Sequence, residues 1–299
     1  MNKVSIKGYL YVIASAVIFG SMPLMARLIY AEGANPMTLV FLRNALALPV
    51  LAVMAYRQDR TLSIPVRMLP GISLIAVMGC CATPFLLFSS YSYIASGTAT
   101  VFHFIYPAVV VMGGILFMRA KVLVGNLISV GVCMVGISLF YTPGEVLDPR
   151  GSALALFSGI TFAIYVLILA GYERGNVSGI RFSFYTVAVS SVVMFVVCLV
   201  TGQLDFPETL KGWGLCLLFA MAVTAGAVVL FQQGTFLIGG QHASILSTLE
   251  PITSIVIGAV AFQEVIILRT MVGSGLVILA SILIAVFEMR HTQNSEETV

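Results

Sequence analysis

Charge is the property that this sequence has least of. Asp, Glu, Lys and Arg together make up 9% of its 299 residues, whereas hydrophobic residues make up 60%. Residues 68–118 contain none of the four charged types. A soluble domain of this length carries far more charge on its surface. The scarcity excludes a soluble globular protein and indicates that the bilayer is the solvent.

Motifs for metal binding, nucleotide hydrolysis and proteolysis are missing as well. The sequence contains no GxxxxGK[ST] loop and no HExxH pair. Its five cysteines form no CxxC pair and fall within apolar runs, so we interpret them as packing residues. We therefore expect no enzyme activity, no cofactor and no metal site. The basic residues behind the net charge of +3 do not cluster, so we expect no nucleic-acid partner.

Long apolar runs are what the sequence has in abundance. A helix that crosses the hydrocarbon core needs about 20 mostly apolar residues, and strands do not fit runs of this length without alternation. We predict an all-α membrane protein with ten transmembrane helices. Two boundaries lie where small and polar residues cluster, at 95–98 and 239–242. The ten predicted spans are 8–30, 36–56, 68–93, 97–118, 121–141, 151–171, 180–202, 211–238, 242–262 and 269–288.

The two halves of the chain resemble each other. A shift of 143 residues places Phe19 on Phe162, and a shift of 144 places Pro107 on Pro251. Each half holds an odd number of spans, so the second must be inverted relative to the first. We predict two inverted repeats, residues 1–145 and 146–290, an architecture typical of secondary transporters. The other matched pairs are Gly8 with Gly151, Leu87-Phe88 with Leu230-Phe231, Ala99 with Ala243, Gly114 with Gly258 and Gly131 with Gly275.

Orientation follows from the basic residues in the loops, which favour the cytoplasm. With the N-terminus inside, ten Lys and Arg residues lie on the cytoplasmic side and four on the other. We predict a multi-pass protein of the inner or plasma membrane with both termini in the cytoplasm. We expect residues 291–299 to form a disordered tail, and we expect the protein to be a monomer.

Three acidic or basic side chains stand out in the interior of the predicted spans, away from the span ends. A charged side chain at the centre of a spanning helix costs about 2.5–3.5 kcal/mol, so it needs a partner or a wet cavity. Glu250 is near the middle of the ninth span, where a carboxyl could carry a proton or hold a cationic solute. Arg43 could line the same cavity or pair with a helix end. His103 could bind a solute or simply satisfy a neighbouring carbonyl.

The repeat relates these residues to one another. The shift of 144 makes Tyr106 the equivalent of Glu250, and His103 the equivalent of Ser247. His103 and Tyr106 are three residues apart and share a helix face. We predict that two facing helices present polar side chains at a similar depth and form a small-molecule site.

Prolines in the spans predict bent helices. A proline removes the hydrogen bond to the carbonyl four residues earlier. Pro107 should therefore free the carbonyl of His103, and Pro251 that of Ser247. The four prolines that we expect to break helices for gating are Pro23, Pro84, Pro107 and Pro251.

Other polar side chains inside the spans are further candidates for the cavity. Uncharged polar groups also hold helices together in lipid, which is the alternative explanation for each of them. The four candidates are Tyr11, Tyr91, Tyr165 and Gln232.

The chain resembles the drug/metabolite transporter superfamily, as a ten-helix member built from two EamA-type repeats. The resemblance covers residues 5–290 and rests on the five-plus-five layout, on the matched Pro107 and Pro251, and on the step Leu249-Glu250-Pro251. Gln263-Glu264 is similar to the family's short acidic turn, which residues 119–121 of the first repeat lack. The resemblance places Glu250 and Pro251 in a central cavity.

The resemblance also implies a function. It implies a carrier that exports amino acids, metabolites or drug-like molecules by alternating access. Import of a small cationic or zwitterionic solute is the alternative, and a channel or receptor is a third class. Glu250 is the candidate for proton coupling.

Overall fold

A computed structural model describes residues 3–94, 96–118, 124–139, 148–262, 268–269, 271–280 and 282–283. Within these ranges every regular element is a helix, so the predicted all-α class is confirmed. Gln263-Glu264, residues 119–121 and the tail 291–299 lie outside the described residues. The helices are α1 (Lys3–Phe19), α2 (Met22–Tyr30), α3 (Pro36–Ala45), α4 (Leu48–Asp59), α5 (Leu69–Ile75), α6 (Thr83–Ser90), α7 (Ser96–His103), α8 (Tyr106–Met118), α9 (Val124–Ser138), α10 (Pro149–Gly171), α11 (Gly179–Thr201), α12 (Leu210–Phe219), α13 (Val229–Leu246), α14 (Leu249–Phe262) and α15 (Met271–Ala280).

Seven helical stretches of the described chain are long and apolar enough to cross a membrane, and two apolar helices are shorter. The described part therefore does not recover all ten predicted spans. The longest stretch, Leu210–Leu246, has 37 residues and joins the predicted eighth span to the start of the ninth. Its helix is interrupted at Gly239, whose φ of 78° and ψ of 164° are not helical. The interruption falls within the predicted boundary at 239–242. The seven stretches are Ile6–Tyr30, Pro36–Asp59, Val66–Ser90, Thr98–Phe117, Pro149–Gly171, Gly179–Thr201 and Leu210–Leu246, and the two shorter helices are Leu127–Ser138 and Met271–Ala280.

Helices break just before several prolines. α2 begins at Met22 with Pro23 in its first turn. α7 ends at His103 and α8 begins at Tyr106, followed by Pro107, while α13 ends at Leu246 and α14 begins at Leu249, two residues before Pro251. Proline fits the first turn of a helix, where its missing N–H is not needed, but not the interior.

Two stretches of π-helix interrupt the spans. They cover Ala76–Ala82 and Ala220–Val228, and they begin 144 residues apart. The first leads directly into α6, where Pro84 occupies the first turn. A π turn widens a helix locally and often marks a functional site.

The ends of the helices show how the spans run relative to one another. Near the start of α11, Arg181 forms an ion pair of 3.0 Å with Asp59 at the end of α4. At its other end, the Thr201 hydroxyl donates to the sulfur of Met37 at the start of α3 over 3.2 Å. Hence α11 is antiparallel to α3 and α4. We call the two ends of the bundle the Asp59 end and the Glu32 end.

The first and sixth predicted spans also run in opposite directions. Tyr30, at the end of α2, donates from its hydroxyl to the Phe88 carbonyl at 3.5 Å. Gly151, at the start of α10, packs against Ile94 at this same Glu32 end. At the Asp59 end, the hydroxyl of Tyr172, just after α10, donates to the Met68 carbonyl at 2.9 Å. Consequently α10 is antiparallel to α1 and α2.

At the Glu32 end, the loop after α2 contacts the start of α12. The Lys211 ammonium lies 2.6 Å from a carboxylate oxygen of Glu32. The Thr209 hydroxyl also donates to this carboxylate. These two hydrogen bonds hold the pKa of Glu32 below its usual value.

Large apolar side chains cover the outside of the bundle. Phe117 is 84% exposed and Val200 is 80% exposed. In water this exposure would be unfavourable, but in lipid the same side chains need no cover. The polar residues instead turn inward, and the buried set includes Arg43, His103, Gln232 and Glu250.

Candidate functional site

A cavity of about 50 Å³ lies inside the bundle where the broken helices meet. Its walls come from α1, α2, α3, α6, α7, α10, α13, α14 and the two π-helical stretches. Most lining side chains are apolar or aromatic. Four residues predicted from the sequence to form the cavity bring titratable groups to its walls: Arg43, His103, Tyr165 and Glu250.

Glu250 enters the cavity from the first turn of α14. The residue is 9% exposed, and among the described residues its carboxylate forms no ion pair. Its backbone N–H donates to the Ser247 carbonyl at 3.0 Å. The expectation of a free carbonyl at Ser247 is therefore wrong, because a tight turn before α14 supplies a donor. The positive end of a helix dipole stabilises a carboxylate in the first turn.

Arg43 faces the same cavity from the last turn of α3. Its Nε–H donates to the Thr224 hydroxyl at 3.1 Å, and its guanidinium carbon lies 5.9 Å from the centre of the Phe219 ring. Within the described chain no carboxylate lies within 4.0 Å of the guanidinium, so Arg43 and Glu250 share the cavity without pairing. The negative end of the α3 dipole favours a cation at this position.

His103 is fixed in one orientation by α10. Its Nδ1 lies 2.8 Å from the Ser158 hydroxyl oxygen. That hydroxyl donates its single hydrogen to the Ala155 carbonyl at 2.6 Å. With the hydroxyl hydrogen on that carbonyl, Nδ1 donates to Ser158, and Nε2 of a neutral ring is then an acceptor. The His103 carbonyl lies against Gly159, where a Cβ atom would come within 2.4 Å of the oxygen.

Aromatic rings form a continuous wall beside His103. Tyr106 and Phe162 meet edge to face with ring centres 4.7 Å apart, and Phe162 lies 5.4 Å from Phe231. Tyr165 stacks on Phe231 at 6.0 Å. The Tyr106 hydroxyl is buried and forms no hydrogen bond of normal geometry within the described residues.

Four predicted site residues do not line the cavity, and one of them is Tyr106, which packs against Phe162 in the aromatic wall. Gln232 accepts a hydrogen bond of 2.6 Å from Ser183 and donates one of 3.2 Å to Thr186, and so it joins α13 to α11. Tyr11 lies beneath the Lys7 ammonium, 5.4 Å from its ring centre, on the outer face. Tyr91 packs 6.0 Å from Phe88, just behind the cavity wall.

Four phenylalanines of the cavity wall were not predicted as site residues: Phe19, Phe88, Phe162 and Phe231. A signal for them exists in the sequence. Phe19 matches Phe162, and Phe88 matches Phe231, in the repeat alignment. Repeated aromatic positions thus converge on the cavity, although each alone looks like ordinary packing.

The fold and the apolar surface define a multi-pass membrane protein with an internal cavity between its helices. The sequence profile of the EamA-like transporter family matches residues 6–142 and 149–286, once in each half. The chain belongs to the EamA-like transporter family.

Full-length relatives carry transporter names. The chain is 27% identical over 284 residues to an "Uncharacterized transporter" of Archaeoglobus fulgidus, covering 92% of this chain and 94% of the relative. It is 25% identical over 302 residues to the "Uncharacterized inner membrane transporter YicL" of Salmonella typhimurium, covering 96% and 98% of the two chains. These similarities confirm the predicted superfamily and agree with a transporter rather than an enzyme.

A solved structure shares the fold. It superimposes with a TM-score of 0.77 over 95% of this chain and 98% of its own, at 12% sequence identity. At this identity the likeness concerns the fold alone.

Proposed function

We propose that this protein is a secondary carrier that exports a small organic solute across the inner membrane by alternating access. The central cavity carries this proposal, because it holds a carboxyl group and a guanidinium that form no ion pair with any described residue, in a wall of aromatic rings. Buried charges without partners are costly and mark solute or ion pathways in membrane proteins. Broken helices with charged groups at their ends are typical of transporter sites.

The proposed architecture is two inverted repeats, residues 1–145 and 146–290, with ten spans in all. Three observations support it. The family profile matches each half separately. Matching spans run in opposite directions, as α11 does against α3 and α4. The two π-helical stretches start at matching positions, Ala76 and Ala220. Such a pair of units can rock about a shared site, and Pro23, Pro84, Pro107 and Pro251 would be the bends.

The chemistry of the cavity favours a solute with a positive group. Glu250 would hold an ammonium or a similar cation, and Arg43 would meet a carboxylate if the solute carries one. Rings such as Phe162 and Tyr165 would hold an apolar or aromatic part and add cation–π attraction. Amino acids, related metabolites and cationic drug-like molecules share these features.

Glu250 is also the residue that we propose for proton coupling. Without an ion-pair partner in the described chain, its carboxyl can exchange a proton for the cation of a solute. A solute is first found by thermal-shift screening of the purified protein, because a ligand that binds the native state raises the melting temperature. Transport of that solute is then measured by counterflow and by pH-gradient-driven flux in liposomes.

Glu250→Gln should abolish the response of flux to a pH gradient, since glutamine cannot release a proton. Glu208→Gln makes the same chemical change on the exposed loop after α11 and should transport like the wild type. If Glu250→Gln transports with the wild-type rate and pH profile, the proposed role of Glu250 is wrong. If the wild type binds the solute but shows no counterflow, the protein is not a carrier.

A further inference from the structure

A second concave site lies on the outside of the bundle. It is a groove of about 660 Å³ between α1, α4, α11, α13 and the π-helical stretch Ala220–Val228. None of the residues that line it lines the central cavity. The groove opens among side chains that face lipid: Leu10 on α1 is 61% exposed, and Val53 on α4 is 51% exposed.

The groove is polar at one end and apolar along its length. Lys7, Gln58 and Gln233 line it towards the Asp59 end. Met54, Val229 and Leu230 are among the apolar residues that line the rest. The lining contains no Asp or Glu, so Lys7 gives the polar end a positive charge.

Gln233 brings an amide group to the polar end. Its side chain is wedged over Gly179, where a Cβ atom would lie 1.9 Å from Nε2. Nε2 itself is buried and forms no hydrogen bond with any residue that the structure describes. A buried donor without an acceptor is unfavourable, so a turn of the side chain that brings Nε2 to an acceptor oxygen in the groove would be favoured.

The end of the groove at Gly226, which we call the deep end, is not filled by any described side chain. A Cβ atom added at Gly226 would find only the Met221 carbonyl, at 3.4 Å, and the Ile18 methyl, at 3.7 Å. The other π-helical stretch differs, since the Tyr165 ring would lie 2.2 Å from a Cβ atom at Gly79. The space beside Gly79 is thus filled by an aromatic ring, whereas the space beside Gly226 is open to the bilayer.

We propose that this groove binds one anionic phospholipid. The phosphate would lie at Lys7 with its oxygens accepting from Gln233, and an acyl chain would lie along Val229 and Leu230 towards Gly226. A membrane-facing groove with an apolar floor suits an acyl chain, and a cation at its interfacial end suits a negative headgroup. The site is independent of the solute that the central cavity takes.

The test uses the full-length protein, stripped of lipid in a neutral detergent. Native mass spectrometry measures the binding of phosphatidylglycerol and of phosphatidylcholine with the same acyl chains. One phosphatidylglycerol should bind per chain, about fivefold more tightly than phosphatidylcholine, because one lysine contributes about that factor for an anionic lipid. Lys7→Gln, on an exposed side chain that should not affect folding, should remove this preference.

Gly226→Leu should weaken the binding of both lipids at least tenfold by filling the deep end. Matched controls are Arg57→Gln, an exposed cation of the same end outside the groove, and Gly214→Leu, a helical glycine with open space around it. Both controls should bind like the wild type.

Three results would each overturn the proposal. Equal affinity for the two lipids would mean that the headgroup charge is not recognised. An equal loss in Arg57→Gln and Lys7→Gln would mean diffuse surface attraction rather than a site. Competition by glycerol 3-phosphate alone, at the affinity of the lipid, would mean a site for soluble phosphate esters. If Gly226→Leu does not fold, the comparison of Lys7→Gln with Arg57→Gln still tests whether the groove is a specific site for an anionic lipid.

Discussion

Single residues in the cavity are placed by the helix ends that carry them. Glu250 sits in a first turn and Arg43 in a last turn, so each charge faces the favourable end of its own helix. This arrangement favours each group at the position where it lies. The sequence identifies Arg43 and Glu250 as candidates, because a charged side chain in lipid costs free energy. Whether the two side chains form an ion pair depends on which helices meet, and the sequence does not show that.

The orientation of the His103 ring could not be predicted from the sequence either. Its spacing from Tyr106 could be read from the sequence, but its hydrogen-bond partner could not, since Ser158 belongs to the other half of the chain. Ser158 holds Nδ1, so Nε2 is the ring nitrogen that we propose for contact with a solute.

Replacing His103 should therefore weaken solute binding. His103→Ala removes an acceptor and part of the aromatic wall, and we expect the half-saturating concentration to rise about threefold to tenfold, the value of one hydrogen bond. Transport in liposomes measures it. His242→Ala is the matched control, because His242 bonds the Ile238 carbonyl outside the cavity lining. An unchanged half-saturating concentration in His103→Ala would assign this histidine to packing.

Among the elements, breaks that depend on local chemistry could be foreseen from the sequence. Proline forbids an internal helical hydrogen bond, so the bends near Pro107 and Pro251 needed no tertiary information. The cluster at 239–242 likewise indicated the interruption at Gly239. The π-helical stretches were not foreseen, because residues 76–82 and 220–228 contain no proline and little that distinguishes them from α-helix.

Gly239 offers a test of the interrupted helix. Its φ of 78° and ψ of 164° lie in a region open almost only to glycine, so Gly239→Ala should destabilise the protein by about 1–3 kcal/mol. No described atom lies within 4 Å of the added Cβ, so the cost would be conformational rather than steric. Gly214→Ala within α12 should be neutral or slightly stabilising. Thermal unfolding in detergent measures both, and equal melting temperatures would refute the strained conformation.

For the whole molecule, the sequence predicted the helical class and the family, and both are confirmed. The inverted repeat and the ten spans remain predictions, supported by the directions of the helices. Pairings between halves, such as Arg181 with Asp59, could not be foreseen, since pattern alone does not say which loops meet. The set of residues that line the cavity could not be foreseen either, because the sequence pattern does not say which helices meet.

Orientation in the membrane can be measured by labelling single cysteines. The native cysteines are free and buried in the structure, so they should react slowly with a membrane-impermeant maleimide. Arg57→Cys, at the Asp59 end, should react only from the cytoplasm, and Asp205→Cys, at the Glu32 end, only from outside. The wild type is the control. Reaction of both variants from one side would contradict the spans between them, and the reverse pattern would contradict the predicted orientation.

The π-helical stretches have a consequence for the phase of the helices that follow them. An α-helix turns by about 100° per residue, and a π turn holds one residue more than an α turn. If Ala220–Val228 formed regular α-helix with no residue removed, every later side chain of α13 would turn by roughly that angle. Gln232 would then leave Ser183, and Phe231 would turn away from Tyr165. The π geometry absorbs the extra residue and so keeps the azimuth at which this helix presents its aromatic and amide groups.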